Sequence, residues 1–146
     1  MKAAVTEKSV LKVPKPEGLD AQDRPVKVLV VDDELIVRKL VTQVLKSAGY
    51  EIVGEAGDGK RAVEMFRLRR PDIVTMDVQM PIMDGLEALE QILQVYSKAV
   101  VVMLTNRQEK ELVTKIIKAG AKDYIVKPID RKLILAKLRK VRGISY

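Results

Sequence analysis

Short runs of apolar, often β-branched residues alternate along this chain with longer amphipathic segments, and this alternation limits the fold more than any other feature of the sequence. A short apolar run bounded by turn residues is typical of a buried strand. Such runs lie at about residues 26–31, 50–55, 72–76, 99–104 and 123–126. Because near-continuous apolar strands separated by helices are typical of a parallel sheet covered on both faces, we predict an α/β fold with right-handed crossovers.

Five helices are predicted between and after these strands. In residues 34–48, apolar side chains recur every three or four positions, as they do on one face of a helix. Asp58 and Asp130 stand where the N-caps of the second and fifth helices are expected. The five helices are expected over about residues 34–48, 58–70, 84–96, 107–119 and 130–141.

The composition excludes several kinds of site. The 146 residues contain no cysteine and no histidine. Disulfides and thiolate metal sites are therefore excluded, and imidazole is not available as a ligand, a base or a phosphoryl carrier. Any bound metal ion has to be held by oxygen atoms.

The sequence predicts one domain, at residues 26–142, with a short segment at each end. Residues 1–25 contain three prolines and no sustained periodic pattern, which predicts a flexible arm, with a partner-binding peptide as the alternative. Residues 143–146 are expected to form a tail. No apolar run approaches the ~20 residues of a membrane-spanning helix, and the N-terminus lacks the apolar core of a signal peptide, so we expect a cytoplasmic protein without membrane insertion.

The net charge of +7 is concentrated near the C-terminus, where residues 129–146 hold six basic residues and one acidic residue. A lysine-rich terminal helix is usually a solvated face, and a docking patch is the alternative. Binding of nucleic acid through this helix is a further hypothesis. The helix has no aromatic residues between its basic ones, however, and no recognised docking motif, so no nucleic-acid partner is expected.

Chemically active side chains follow four of the predicted strands. They are Asp32, Asp33, Asp77, Thr105 and Lys127. Because the carboxyl ends of parallel strands meet at one edge of the sheet, where ligands bind, we expect these side chains to lie together. Each of them also has a local interpretation, since the aspartates and the threonine can cap a strand or helix and the lysine can be solvated.

Three carboxylates in one pocket repel each other, and a hard cation such as Mg²⁺ relieves that repulsion and prefers oxygen ligands. With a metal ion bound, the Asp77 carboxylate becomes a candidate nucleophile toward a phosphoryl group, forming an acyl phosphate. Lys127 and the Thr105 hydroxyl are the available donors to the phosphoryl oxygens.

This set of residues resembles the receiver domain of two-component response regulators, and the resemblance spans residues 26–142. Three further segments share it: Asp77–Gly85 (DVQMPIMDG), Gly54–Gly59 (GEAGDG) and Lys118–Tyr124 (KAGAKDY). The resemblance implies a flavodoxin-like, doubly wound sheet of five parallel strands in the order 2-1-3-4-5. Because the chain ends at Tyr146 without room for an output domain, we expect a stand-alone regulator, of the chemotaxis type or a phosphorelay intermediate.

The resemblance also implies roles for the acidic residues. Asp77 would receive a phosphoryl group from the phosphohistidine of a histidine kinase. Mg²⁺ would be bound by Asp33, Asp77 and the backbone carbonyl of Gln79, with Asp32 acting largely through water.

The resemblance also implies a response in the residues at the ends of strands 4 and 5. Lys127 would pair with the phosphoryl oxygens, Thr105 would swing toward them, and Tyr124 would rotate into the space that Thr105 leaves. The output would be a changed surface on helix 4, strand 5 and helix 5 that binds a downstream protein, in a monomer or in a phosphorylation-dependent dimer.

Three residues near the site are predicted to set the lifetime of the phosphorylated form. The position after Thr105 is usually small in this family, and here it is Asn106. Gln79 and Arg107 stand at variable positions that flank the hydrolytic water in the family. We therefore expect these three side chains to tune dephosphorylation.

The main alternative of another class is an aspartate-nucleophile phosphatase on a similar sheet. Such enzymes resemble one another in carrying a second aspartate two residues after the nucleophile, and here that position is Gln79. We therefore expect a signalling switch whose chemistry is limited to its own phosphorylation and dephosphorylation, and not an enzyme.

Overall fold

A computed structural model of the protein describes residues 15–143. Its strands are β1 (Lys27–Val31), β2 (Glu51–Ala56), β3 (Ile73–Asp77), β4 (Val101–Thr105) and β5 (Asp123–Val126). Its helices are α1 (Leu35–Ser47), α2 (Gly59–Arg69), α3 (Gly85–Val95), α4 (Lys110–Lys118) and α5 (Arg131–Val141). No helix in this part of the chain combines the length and the apolarity needed to cross a membrane.

The strands form one parallel sheet in the order β2-β1-β3-β4-β5, which confirms the predicted doubly wound, flavodoxin-like fold. The strand order reverses between β1 and β3, so the crevice at their carboxyl ends is the topological switch point where ligands bind in such sheets. Asp77 is the last residue of β3, and Asp32 directly follows β1. The fold therefore places both aspartates at the ligand-binding edge.

The sheet separates two apolar layers. From Val28 to Val31 every side chain of β1 is fully buried, with alternate residues facing opposite layers. One layer packs beneath α2, α3 and α4 and includes Phe66 and Leu89. The other packs beneath α1 and α5. Burial on both faces explains why the three central strands β1, β3 and β4 are nearly continuous apolar runs.

Two of the predicted helix caps are confirmed. The Asp58 carboxylate accepts the Arg61 backbone N–H at 2.8 Å, and the Asp130 carboxylate accepts the Leu133 N–H at 2.7 Å. Side-chain acceptors at the N-cap satisfy backbone donors that the first turn leaves unpaired. These local signals positioned α2 and α5 correctly.

Helix α4 begins at Lys110, later than the expected residue 107. The Thr105 hydroxyl both accepts the Arg107 N–H and donates to the Arg107 carbonyl, each at 3.0 Å. Hydrogen bonds between a side chain and a nearby backbone compete with helix formation. The loop therefore turns once more before the helix starts, and Thr105 is not the helix cap.

Residues 15–25, which we call the N-terminal segment, pack against the domain, so the expectation of a flexible arm does not describe them. Arg142 donates to the backbone carbonyls of Glu17 at 2.5 Å and Leu19 at 2.8 Å. The buried Gly18 donates its N–H to the Ala48 carbonyl at 2.8 Å. A side chain at position 18 would collide with the backbone of Gly49 and Tyr50. Residues 1–14 of the predicted arm and residues 144–146 of the predicted tail lie outside the described part of the chain.

Candidate functional site

The three predicted carboxylates converge at the switch point of the sheet. Asp32 and Asp77 lie side by side at the ends of adjacent strands, because the residues that precede them, Val31 of β1 and Met76 of β3, are in register. One oxygen of each carboxylate of Asp32, Asp33 and Asp77 lies within 4.8 Å of the others. Asp32 is fully buried and Asp77 is 4% exposed, whereas Asp33 is exposed. The arrangement places two inner carboxylates beneath one that faces solvent.

Lys127 completes this group, which we call the acidic pocket (Asp32, Asp33, Asp77 and Lys127). Its Nζ lies 2.8 Å from Asp32 Oδ2 and 3.3 Å from Asp77 Oδ1. Its backbone N–H donates to the Thr105 carbonyl at 2.7 Å, and the peptide bond to Pro128 is cis. The lysine is therefore directed into the pocket and is not a solvated residue at a strand end.

Burial and charge change the proton affinities of this pocket. Burial, followed by the neighbouring Asp32 charge, raises the pKa of Asp77 to about 7. Burial alone would lower the pKa of Lys127, but the carboxylates of Asp32 and Asp77 outweigh it and raise that pKa above its ordinary value. The ammonium thus stays charged at neutral pH, while Asp77 without a further cation is close to its titration midpoint.

The donor set of the pocket suits a hard divalent cation. Three carboxylates face a single ammonium, so the fully ionised pocket carries excess negative charge. Asp32 Oδ2 is buried and receives no well-aligned hydrogen bond within residues 15–143, although Lys127 lies beside it. Carboxylate oxygens are ligands that Mg²⁺ prefers, so these three residues fit such an ion.

Two residues of the site were missed by sequence reasoning. Glu34 Oε1 lies 3.6 Å from Lys127 Nζ, and the Glu34 N–H donates to Asp32 Oδ1 at 2.9 Å. The Arg38 guanidinium donates to the Asp32 backbone carbonyl at 2.6 Å and lies 3.5 Å from the Glu55 carboxylate. The direct proximity of Glu34 to the acidic pair was an available signal, whereas Arg38 looked like an ordinary polar position on α1.

A small cleft of about 40 Å³ opens beside the phosphoryl-acceptor candidate. It is lined by Asp77 and Thr105 together with the three predicted rate-tuning residues, Gln79, Asn106 and Arg107. The last three are exposed, and Thr105 is 2% exposed. The structure therefore brings together all five residues at the mouth of the site.

Gly85 explains why the motif after Asp77 ends in glycine. A Cβ atom at position 85 would collide with the Asp77 carbonyl oxygen, because the start of α3 lies directly against the end of β3. The Gly85 N–H donates to the Val78 carbonyl at 2.7 Å. Close backbone approach thus holds the loop after Asp77 in a tight turn.

Tyr124 lies on the sheet face that it shares with Thr105. Met103 is in register with Tyr124, and Thr105 is in register with Val126, so the two residues are diagonal neighbours on β4 and β5. Tyr124 is half-buried and packs against the apolar layer beneath α2, α3 and α4. The tyrosine is therefore close enough in the sheet to respond to a change at Thr105.

The surface of α4, β5 and α5 combines apolar and charged groups. On α4, Leu112 and Val113 are half-buried and Ile117 is 48% exposed. Most basic side chains near the C-terminus have partners: Arg131 with Ser47, Lys137 and Lys140 with Asp123, and Arg139 and Arg142 with the N-terminal segment. The carboxylates of Asp123 and Glu17 thus offset part of the positive charge of α5, whereas Arg131 and Arg142 bond to neutral groups.

Comparison with known proteins agrees with this geometry. Residues 28–139 match the family described as the response regulator receiver domain. The chemotaxis protein CheY of Treponema pallidum is 45% identical over 128 residues, which cover 86% of this chain and 89% of that protein. The chemotaxis protein CheY of Thermotoga maritima is 40% identical over 79% of this chain and 96% of its own length.

A solved structure gives the same result for the fold. The crystal structure of the CheX-CheY-BeF3-Mg complex from Borrelia burgdorferi contains a chain with a TM-score of 0.86 and 36% identity to this one. The match covers 88% of this chain and 98% of that chain. With its fold, its converging strand-end residues and these matches, the chain belongs to the response regulator receiver domain family.

Proposed function

We propose that this receiver domain is a Mg²⁺-dependent phosphorylation switch whose phosphoryl acceptor is Asp77. The observation that carries the proposal is the position of the Lys127 ammonium between Asp32 and Asp77, at 2.8 and 3.3 Å, in a pocket rich in carboxylates. An Asp77 oxygen attacks the phosphorus of a phosphohistidine on a histidine kinase. The new O–P bond forms as the N–P bond breaks, and the leaving imidazole nitrogen, which keeps the electron pair of that bond, takes a proton from solvent.

The ligands for Mg²⁺ in this proposal are Asp33, Asp77 and the backbone carbonyl of Gln79, with Asp32 acting through water. The ion supplies positive charge beside the phosphoryl oxygens. Lys127 supplies a second positive charge from the buried side of the pocket. Asp32, which contacts Lys127 and the Glu34 N–H, orients the lysine.

The output in this proposal is a change of the α4, β5 and α5 surface that alters binding of a downstream protein. The new negative charge on Asp77 attracts the Thr105 hydroxyl away from Arg107, to which it is bonded at 3.0 Å. Tyr124 then moves inward on the same sheet face. The exposed apolar side chain of Ile117 on α4, together with the basic side chains of α5, suits a partner that carries both apolar and acidic groups.

The pathway proposed for the chain is bacterial chemotaxis, because several of its relatives are named chemotaxis proteins, and a phosphorelay is the second candidate. We propose action in the cytoplasm, as a monomer or as a phosphorylation-dependent dimer. The role is a binding switch, since position 79 offers an amide where an aspartate phosphatase would need a second carboxylate.

A titration with beryllofluoride, a mimic of the acyl phosphate, tests the proposal. In Mg²⁺ buffer, backbone amide NMR signals of Asp77, Thr105, Tyr124 and α4 are expected to shift together. Asp77→Asn should remove the response, and omission of Mg²⁺ should also remove it. Capture of a protein only by beryllofluoride-treated wild type would identify the output partner, and absence of any shift in wild type would refute the proposal.

A further inference from the structure

Lys137 of α5 reaches the free edge of the sheet and contacts two consecutive residues of β5. Its Nζ lies 3.0 Å from Asp123 Oδ1 and 5.4 Å from the centroid of the Tyr124 ring. The side chain of Lys137 is 25% exposed. We call Asp123, Tyr124 and Lys137 the edge cluster.

Asp123 fixes the position of the lysine in this cluster. The residue is 6% exposed, and its Oδ1 also accepts the Tyr124 backbone N–H at 2.8 Å. Burial would raise the pKa of Asp123, but this hydrogen bond and the neighbouring ammonium of Lys137 outweigh it and lower the pKa. The carboxylate is thus a charged, buried anchor that holds the Lys137 ammonium beside the Tyr124 ring.

The contact between Lys137 and the Tyr124 ring favours the half-exposed orientation of the ring over the inward orientation. A cation held over a tyrosine ring within about 6 Å is attracted by the negative face of the ring. Inward rotation of the ring would separate it from an ammonium that Asp123 keeps at the sheet edge. The cluster therefore stabilises the half-exposed orientation of Tyr124.

We propose that Lys137 is a positioning residue for Tyr124. In this role it sets how much phosphoryl group or phosphoryl mimic must be bound at Asp77 before the output surface changes. The proposal rests on the proposed function, because it concerns the coupling between Asp77 and Tyr124. Two linked equilibria must influence each other equally. If Lys137 opposes inward rotation of the ring, its removal must tighten binding of a phosphoryl mimic at Asp77.

A matched pair of lysines makes the test specific. Lys140 also lies beside the Asp123 carboxylate, at 3.4 Å from Oδ2, and its side chain is 74% exposed. Within residues 15–143, the cation over the Tyr124 ring is that of Lys137. Lys137→Met and Lys140→Met each remove one positive charge near Asp123, but only the first removes the ring contact.

The experiment follows the Tyr124 ring by NMR, with ¹³C-labelled tyrosine and a Tyr124→Phe variant to assign the signal among the four tyrosines. Beryllofluoride is titrated into wild type and each variant in Mg²⁺ buffer. In Lys137→Met, the Tyr124 ring signal of the untreated protein should already lie closer to its chemical shift in the beryllofluoride-saturated protein. The beryllofluoride midpoint should fall about 2- to 5-fold, the range expected for one exposed cation–π contact. Lys140→Met should stay close to wild type, and Lys137→Arg should restore wild-type behaviour.

Equal effects of Lys137→Met and Lys140→Met would overturn the proposal, because they would show a general effect of charge. A raised midpoint in Lys137→Met would overturn it as well. If wild type does not respond to beryllofluoride at all, the phosphorylation switch itself fails and the role of Lys137 fails with it. A normal wild-type response with an unchanged Lys137→Met midpoint refutes only the role of Lys137.

Discussion

Lys127 Nζ lies 2.8 Å from Asp32 Oδ2, and these two side chains are 7% and 0% exposed. Burying two charges to this degree costs desolvation energy, and each charge is tolerated in the interior only while the other compensates it. Its location at the switch point of the sheet, and not in the apolar layers, indicates that the pair serves the site more than the stability of the fold.

Removal of the lysine alone should nevertheless destabilise the metal-free protein, because the charge of its buried partner is then uncompensated. Lys127→Met leaves Asp32 buried without its cation, and loss of one partner of a buried pair typically costs about 3–5 kcal/mol. We expect a decrease of that order in the free energy of unfolding, measured with urea at pH 8 in the presence of a chelator. Lys132→Met, at an exposed position of α5, is the control and should change little. Equal stabilities of the two variants would contradict the prediction.

The raised pKa of Asp77 predicts a specific pH dependence of stability. In the folded, metal-free protein Asp77 keeps its proton up to about pH 7, whereas in the unfolded chain it loses it near 3.8. The folded state thus binds more protons in this window, so stability falls as pH rises from about 4 to about 7, by up to about 4 kcal/mol. Asp77→Asn does not titrate, so its stability relative to wild type should be higher at pH 8 than at pH 5. A pH-independent difference in urea midpoints would exclude this effect.

Arg38 should matter for metal affinity although it is not a ligand. It fixes the oxygen of the peptide unit that joins the two aspartates, and the Asp32 N–H is held by the Ala56 carbonyl at 3.0 Å. Loss of a group that orients metal ligands typically costs about 10- to 100-fold in affinity. Calorimetric titration with Mg²⁺ should show weaker binding for Arg38→Met, and Lys39→Met on the exposed side of α1 should bind like wild type. Wild-type affinity in Arg38→Met would rule out this role.

The N-terminal segment should stabilise the domain through Arg142. This side chain donates to the carbonyls of Glu17 and Leu19 and to the Tyr50 hydroxyl. Hydrogen bonds from a charged donor are worth about 1.5–3 kcal/mol each at most, and partial replacement by water reduces the net loss. Arg142→Met should lower the urea midpoint clearly, and the same substitution should have a smaller effect in a protein that lacks residues 1–24, because the Glu17 and Leu19 carbonyls are then absent. Additive effects of the two changes would show that they act independently.

Asn106 should slow dephosphorylation by crowding the cleft beside Asp77. The cleft is small, at about 40 Å³, and Asn106 lines it next to Thr105. Asn106→Ala should shorten the lifetime of the acyl phosphate by up to about tenfold, which corresponds to ~1.4 kcal/mol of barrier. Arg107→Glu, which replaces a cation paired with Glu109 at 3.0 Å, should change the lifetime as well. An unchanged rate of phosphate release in both variants would contradict a role of these residues in dephosphorylation.

Local and periodic signals carried most of the information in the sequence. Apolar runs ending in polar residues placed Asp77 and Lys127 correctly, because in a parallel sheet every strand end of one kind lies at the same edge. Side-chain caps placed the helices after Asp58 and Asp130, since their partners lie within three residues.

Contacts between distant parts of the chain were not visible in the same way. The packing of Glu17 against Arg142 joins the two ends of the described chain, and no local pattern marks it. The ring contact of Lys137 depends on how α5 crosses the sheet edge. The late start of α4 also depends on the loop geometry, because the Thr105 hydroxyl bonds to the Arg107 backbone and does not cap the helix.

Phosphoryl transfer to Asp77 itself is the most direct test of the switch. The protein is incubated with a phosphohistidine donor protein or with phosphoramidate, with and without Mg²⁺, and the modified residue is located by mass spectrometry after borohydride reduction of the acyl phosphate. Wild type should gain one phosphoryl group at Asp77 only when Mg²⁺ is present, and Asp77→Asn should gain none. Modification of another residue, or modification of Asp77 that proceeds equally well without Mg²⁺, would contradict the proposed chemistry.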